Sequence, residues 1–433
     1  MIDEICERYI EILNREMIPA IGCTEPIAVA YASATASDLL NKKVDKIKVY
    51  VSPNMLKNGM GVGVPGTGMK GLDIAVAVGA LGGNAEAKLE VLKDISEQNV
   101  KDSKKMLQDE KVDIEVKRNT PDLYIEVICY SGSEKSRVII ENSHLNIVLI
   151  ELNDKVIFKN DKKSVEEKTK DQKASEKFEL TVDGIFEFAT EVPIEKIRFV
   201  REKDLLNEKI AEVALSGNCG IKVGSTVDKA IKKGLLSDDI LTAAVRLATA
   251  GADARMAGSM CPTMSNSGSG NQGITASLPV IAVGIKLKSN EEKIIRALVL
   301  SNLIAIHIHE YLSRLAALCG TVVAGTGSAC GITYLLGGGL PQIKKAINNM
   351  AGDVTGMICD GAKTSCALKV ATAVSSAVIS ALLAVEDIGV SDKEGIIERD
   401  VEKTIKNVGD IGSYGMTQTD KMILDIMIEK QNK

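Results

Sequence analysis

From Lys46 to Leu152 the apolar residues of the strand-like segments fall at every second position, and on both sides of this block they recur at helical spacing. The segment KIKVYVS sets Ile47, Val49 and Val51 against polar neighbours, and VDIEVKR, LYIEVICY, SRVIIE and NIVLIEL repeat the alternation between Val112 and Leu152. Period two turns one face of each segment inward and the other outward, which suits a half-buried sheet and not a helix. Helices are expected near 72–81 and 84–109, between the first strand and the rest. The fold class is therefore α+β. A mainly α-helical body is formed by residues 1–43 and 178–433, and an inserted α/β subdomain at 44–158 carries a largely antiparallel sheet. The segment 159–177 has almost no apolar residues and many charges of both signs, and reads as a solvated linker. No internal repeat stands out.

In the body, Ile5, Tyr9, Ile12 and Leu13 mark a first helix closed by Pro19, and a second opens near Pro26 and runs to about Leu40. From about 178 onward the chain is helical and rich in Gly and Ala. SNEE (Ser289 to Glu292) has capping-box form and starts a helix predicted to reach about Leu318. With no tryptophan and 3% aromatic residues, the core must be aliphatic. The run Ala367 to Val385 approaches membrane-span length, but Lys369 and three serines favour a buried, Ala-rich helix. The acidic N-terminal helix lacks the basic start of a signal peptide, so a cytoplasmic protein is expected. A net charge of −5 gives no reason to expect nucleic acid or an anionic membrane as partner.

Nine cysteines in such a chain are not a disulfide framework, and three histidines are a poor supply for a histidine-based metal site. His307 and His309 stand two apart on a predicted helix and point to nearly opposite faces. GVGVPG (Gly61 to Gly66) matches a dinucleotide fingerprint in letters, but eight residues separate it from the preceding strand, so a loop near a ligand fits better. Asn54 and Lys57, just before it, are polar enough to touch such a ligand. NSGSGNQG (Asn266 to Gly273) lets successive backbone N–H groups converge ahead of a helix. Ser269, Gly270 and Asn271 thus form a candidate nest for a small carboxylate or phosphate. In IGCTEP, Cys23 falls just before a helix start, where the positive end of the helix is expected to lower a thiol pKa.

The stretch CDGAKTSCALK (Cys359 to Lys369) is a turn between two cysteines. Asp-Gly breaks any helix there, and Thr364 or Ser365 can cap the apolar helix that follows. Cys359 is thereby brought near Cys366. Cys319, before Gly320, is expected at the end of the preceding long helix, another loop position. Three thiolates at helix ends describe a metal site with one open position, of iron–sulfur or zinc type. Cys330 remains a rival ligand. Cys6 lies on a core stripe, Cys129 in a strand, and Cys219 and Cys261 in small-residue turns.

Taken in order, IGCTEP, GSGNQG, CGTVVAGTGSACG and CDGAKTSCALK resemble the L-cysteine desulfidases, a family related to the α-chain of iron–sulfur L-serine dehydratases. The resemblance spans nearly the whole chain. It implies a [4Fe–4S] cluster held by Cys319, Cys359 and Cys366, a catalytic cysteine at Cys23, and no pyridoxal phosphate. The implied reaction is L-cysteine plus water giving pyruvate, ammonia and hydrogen sulfide, with the uncoordinated iron as Lewis acid and Cys23 as base. The nest would hold the substrate carboxylate, and Lys57 or Asn54 would close the site. L-cysteine is the expected small-molecule partner, and a homo-oligomer is left open. Two other readings stand beside this one: an L-serine dehydratase on the same cluster, and a non-enzymatic cluster carrier or sensor.

Overall fold

The computed structural model describes residues 2–160, 180–217, 219–312 and 316–431. Most of the expected linker, 161–177, lies outside the described residues. The six-stranded sheet runs in the order Val112–Val116, Lys46–Val51, Tyr124–Ser131, Glu134–Glu141, Ile147–Leu152, Lys155–Lys159. Lys46–Val51 pairs parallel with Val112–Val116, and every other neighbour pair is antiparallel. The alternation does what it predicts: Ile47, Val49, Val51, Ile125, Val127, Val138 and Ile140 share one buried face.

That face is covered by the helices Leu72–Gly82 and Thr24–Leu40, through Leu72, Val76 and Ala77 on one and Ala28, Val29, Ala32, Ala36 and Leu40 on the other. Thr24–Leu40, expected in the helical body, therefore packs on the sheet. The helix expected at 84–109 is two pieces. Lys88 takes a left-handed φ of 52°, and a Ser96–Asn99 capping box starts Glu97–Gln108 afresh.

The body is a bundle built from Ile240–Met256, Gly270–Lys286, Glu291–His309, Gly320–Leu335, Leu340–Val354 and Cys366–Val385. Its core is aliphatic, with Ile274, Leu298, Ile304, Val323, Val370 and Val374 among its fully buried members. Among the described residues one helix, Cys366–Val385, is long and apolar enough to cross a membrane. It packs instead against Gly320–Leu335, Ile240–Met256 and Leu340–Val354 through Ala367, Val370, Val374, Ala377 and Ala381. The helix opened by Asn290 ends at His309, short of Leu318. Beyond it Leu318 bridges Ile358, with Cys319 N–H donating to Met357 O at 2.9 Å and Cys359 N–H to Ala317 O at 2.6 Å. Pairing between two distant segments of the chain has replaced helical bonds, so Cys319 opens the next helix instead of closing the long one.

Candidate active site

Four helix starts meet at one place, and each carries a residue singled out by the sequence. Cys23 caps Thr24–Leu40, Ser269 caps Gly270–Lys286, Cys319 caps Gly320–Leu335, and Cys366 is the first residue of Cys366–Val385. Thr24 Oγ1 lies 3.5 Å from Gly268 O, and Gly320 lies against the Gln272 amide. Cys23 and Cys366 pack around Val62 and Met256, with Ala362 at the edge. Unpaired N–H groups at the first turns make such a convergence electropositive and suited to an anion.

The loop between Cys359 and Cys366 is pinned at several points. Asp360 pairs with Lys363 at 2.6 Å and with Lys369, whose ammonium also donates to Ile358 O at 2.7 Å. Burial alone would raise the Asp360 carboxyl, but the two lysines outweigh it and hold it down at about 2. Gly361 has a φ of 89°, and a Cβ there would stand 2.0 Å from Lys57 O. Gly361→Ala is therefore expected to cost at least about 3 kcal/mol in denaturant unfolding, from backbone strain plus a collision with a carbonyl. Gly132, at φ 58° with nothing within 4 Å of its would-be Cβ, is the control, and Ala there should cost about 1–2 kcal/mol. Equal costs at the two positions would show that the Lys57 contact carries no weight.

Burial pushes the Cys319 thiol up to about 12, and Cys359 and Cys366 raise it further, against the Thr321 hydroxyl 3.0 Å away. The Cys366 thiol is likewise raised by burial and by Cys359. Burial works against the Lys369 ammonium, but Asp360, Cys319 and Cys359 favour its charged form and raise it. The three thiols and this lysine thus lie within one another's fields. Among the described residues no three His, Cys, Asp or Glu side chains converge tightly enough for a single metal ion. Tetrahedral zinc would need thiolates about 3.8 Å apart, from Zn–S bonds of about 2.3 Å. An iron–sulfur cluster takes each thiolate on a different iron, so it suits a wider triangle. Soft donors, two helix starts and a nearby cation fit an anionic cluster. Cys330, the rival, is buried in the core in the third turn of its helix, its thiol raised by burial alone. Cys129 is buried in its strand, pushed up to about 12 by burial.

Cys23 departs from expectation. Burial pushes its thiol up to about 12; Arg255 opposes this, while Glu25 and Cys366 add to it. The helix terminus is a modest effect beside complete desolvation. The Arg255 guanidinium donates to Cys23 Sγ at 3.6 Å. Ser269 Oγ accepts from Gln272 N–H at 3.4 Å, and Asn271 Nδ2 lies 3.5 Å from Met256 Sδ. The GVGVPG loop is a wedge between these parts. Gly61 bridges Lys363, Gly63 N–H donates to Met256 O at 3.1 Å, and Val62 fills the space beside Cys23.

Lys57 meets the cysteine loop with its backbone, and its ammonium pairs with Asp420 at 2.5 Å. Asn54 bonds Asp122 at 3.4 Å and lines a cleft of about 530 Å³ that no cysteine lines. The structure therefore brings Cys23, Ser269, Gly270 and Asn271 together with the Cys319–Cys359–Cys366 group, and puts Asn54 on a cleft that also takes in Ala317, the acceptor of the Cys359 N–H. His307 Nε2 bonds Glu402 at 2.6 Å, tying two helices, whereas His309 Nδ1 lies 3.3 Å from Gln272. Sequence reading missed Arg255, Met256, Thr321 and Lys369. For Arg255 a signal existed: a lone cation in the apolar stretch LATAGADARMAG, with no acid three or four positions away.

The profile of the serine dehydratase α-chain family matches residues 86–425. A "UPF0597 protein" of Oleidesulfovibrio alaskensis is 48% identical over 425 residues, 98% of either chain. A protein of the same name from Bacteroides thetaiotaomicron is 47% identical over 431 residues, 99% of either chain. One from Shewanella halifaxensis is 46% identical over 431 residues, 98% of either chain.

Proposed function

The chain belongs to the serine dehydratase α-chain family, and on that premise we propose that it is a carbon–sulfur lyase, an L-cysteine desulfidase. L-cysteine and water give pyruvate, ammonia and hydrogen sulfide. The observation that carries this reading is the meeting of four helix starts around Cys23 and the Cys319–Cys359–Cys366 group. Those last three cysteines would hold a [4Fe–4S] cluster, which when bound supplies a Lewis-acidic iron with affinity for the leaving sulfur.

The remaining work falls to the chain itself. The N–H groups of Gly270 and Asn271, in the first turn after Ser269, receive the substrate carboxylate and the charge that spreads onto it as the Cα proton leaves. Cys23 Sγ moves that proton. Burial holds the free Cys23 thiol in its protonated form, and the Arg255 contact is the influence that favours the thiolate this step requires. Elimination leaves aminoacrylate, which tautomerises to an imine and hydrolyses in water.

One feature favours cysteine over serine. Val62, Met256 and Ala362 form the apolar side of the space between Cys23 and Cys366, and Glu25 is the carboxylate within reach of Cys23. A thiol loses little on entering such a lining, whereas a hydroxyl without a partner pays its full desolvation. Anaerobic protein given each amino acid should release pyruvate and sulfide in equal amounts from L-cysteine, with pyruvate from L-serine about 5- to 150-fold slower, the scale set by about 1–3 kcal/mol for one unpartnered hydroxyl. Pyruvate from serine and none from cysteine would make the protein a dehydratase.

A further inference from the structure

We propose that Arg255 is the anchor for the substrate carboxylate and sets the requirement for an α-carboxylate at this site. The proposal rests on the desulfidase reading for the identity of the ligand, and on the following geometry for everything else. Arg255 is the second-last residue of Ile240–Met256 and is 2% exposed. One nitrogen donates to Cys23 Sγ at 3.6 Å, and Nε has no hydrogen-bond partner among the described residues. Nor does any carboxylate among the described residues form an ion pair with it. The acid nearest in sequence, Asp253, accepts from Gly224 N–H at 3.0 Å.

A buried guanidinium without an anion is costly to keep, and the fold retains it with one side open to hydrogen bonding. Its planar fork is shaped for two parallel bonds to a carboxylate. It is also held against the nest. A Cβ at Gly270 would stand 2.2 Å from Arg255 Nε, so glycine is required for the guanidinium to lie over the start of Gly270–Lys286. A carboxylate taken by this fork and by the first-turn N–H groups would have its Cα beside Cys23. Asn271 Oδ1, in a residue 8% exposed, also lacks a partner, and is an acceptor for the α-ammonium group of the same ligand.

The test measures equilibrium binding of two non-eliminating thiols to anaerobic, cluster-loaded protein by titration calorimetry. 3-Mercaptopropionate has the carboxylate and no amine; cysteamine has the amine and no carboxylate. In Arg255→Met, 3-mercaptopropionate should bind about 100-fold more weakly or worse, as expected for losing a charge-assisted bidentate pair, while cysteamine changes by less than about threefold. Arg255→Lys should recover part of the loss, because it keeps the charge and not the fork. The unliganded variants should keep their iron and should not fall in Tm, since no partner charge is stranded; if Arg255→Met does not fold, Arg255→Lys and Arg255→Gln carry the comparison. Equal weakening of both thiols, or of neither, overturns the assignment, and so does wild-type protein that binds cysteamine as well as 3-mercaptopropionate. If wild-type protein forms no pyruvate from either amino acid while 3-mercaptopropionate binding still depends on Arg255, the desulfidase reading fails and the carboxylate anchor stands.

Discussion

Cys319→Ala, Cys359→Ala and Cys366→Ala should each lose bound iron and lower pyruvate formation roughly 10³-fold or more, the several kcal/mol that a Lewis-acid centre contributes. Cys319 and Cys359 flank the Leu318–Ile358 bridge, and Cys366 opens the next helix across the Asp360-pinned turn. On the proposed ligation, removing any one would leave two ligands, too few to retain a cluster. Cys6→Ala and Cys129→Ala test the specificity of the effect. Cys6 packs against the first-helix core and Cys129 is fully buried in the sheet, so the second change should lower stability and neither should release iron. Full iron and activity in Cys359→Ala would remove the assignment, and iron loss in Cys330→Ala would move it to the buried cysteine.

Cys23→Ala should keep the iron and lose turnover by about 10²- to 10⁴-fold, the usual cost of removing a general base. The separation follows from its neighbours. Cys23 Sγ is bonded by Arg255 and packs on Val62 and Met256, whereas the electrostatic triangle of Cys319, Cys359 and Cys366 closes without it. Iron content and pyruvate rate measured on one preparation decide the point. Normal turnover would exclude Cys23 from the chemistry. Loss of iron together with turnover would make it a fourth ligand and close the open position that the mechanism needs.

The strands from Lys46 to Leu152 were legible because the two-residue period survives any arrangement of neighbours. The parallel pairing of Lys46–Val51 with Val112–Val116 was not, because it depends on the path of the intervening crossover. The edge strand Lys155–Lys159 is exposed along its length, so no buried face marks it in sequence, and the linker read from residue 159 begins on its last residue. Thr24–Leu40 is apolar almost all round, so no stripe says which layer it joins, and only the packed sheet settles it. In the site, the Asp-Gly turn made the approach of Cys359 to Cys366 readable from local chemistry, whereas Ser365, at the start of the next helix, makes no side-chain cap bond. Arg255 carried one local signal, a lone cation in an apolar stretch, but its role comes from Cys23, 232 positions away, and from Gly270 beneath it. The Cys23 pKa was misjudged for a related reason: a helix start is visible in sequence, and the depth at which it is buried is not.

The most direct test of the central claim is a single anaerobic preparation of the whole chain, assayed for iron, acid-labile sulfide and pyruvate released from L-cysteine. The account predicts about four iron and about four sulfide per chain, the content of one cubane cluster, with turnover that disappears as the iron is chelated away. Protein that forms pyruvate from L-cysteine at full rate without iron would contradict it.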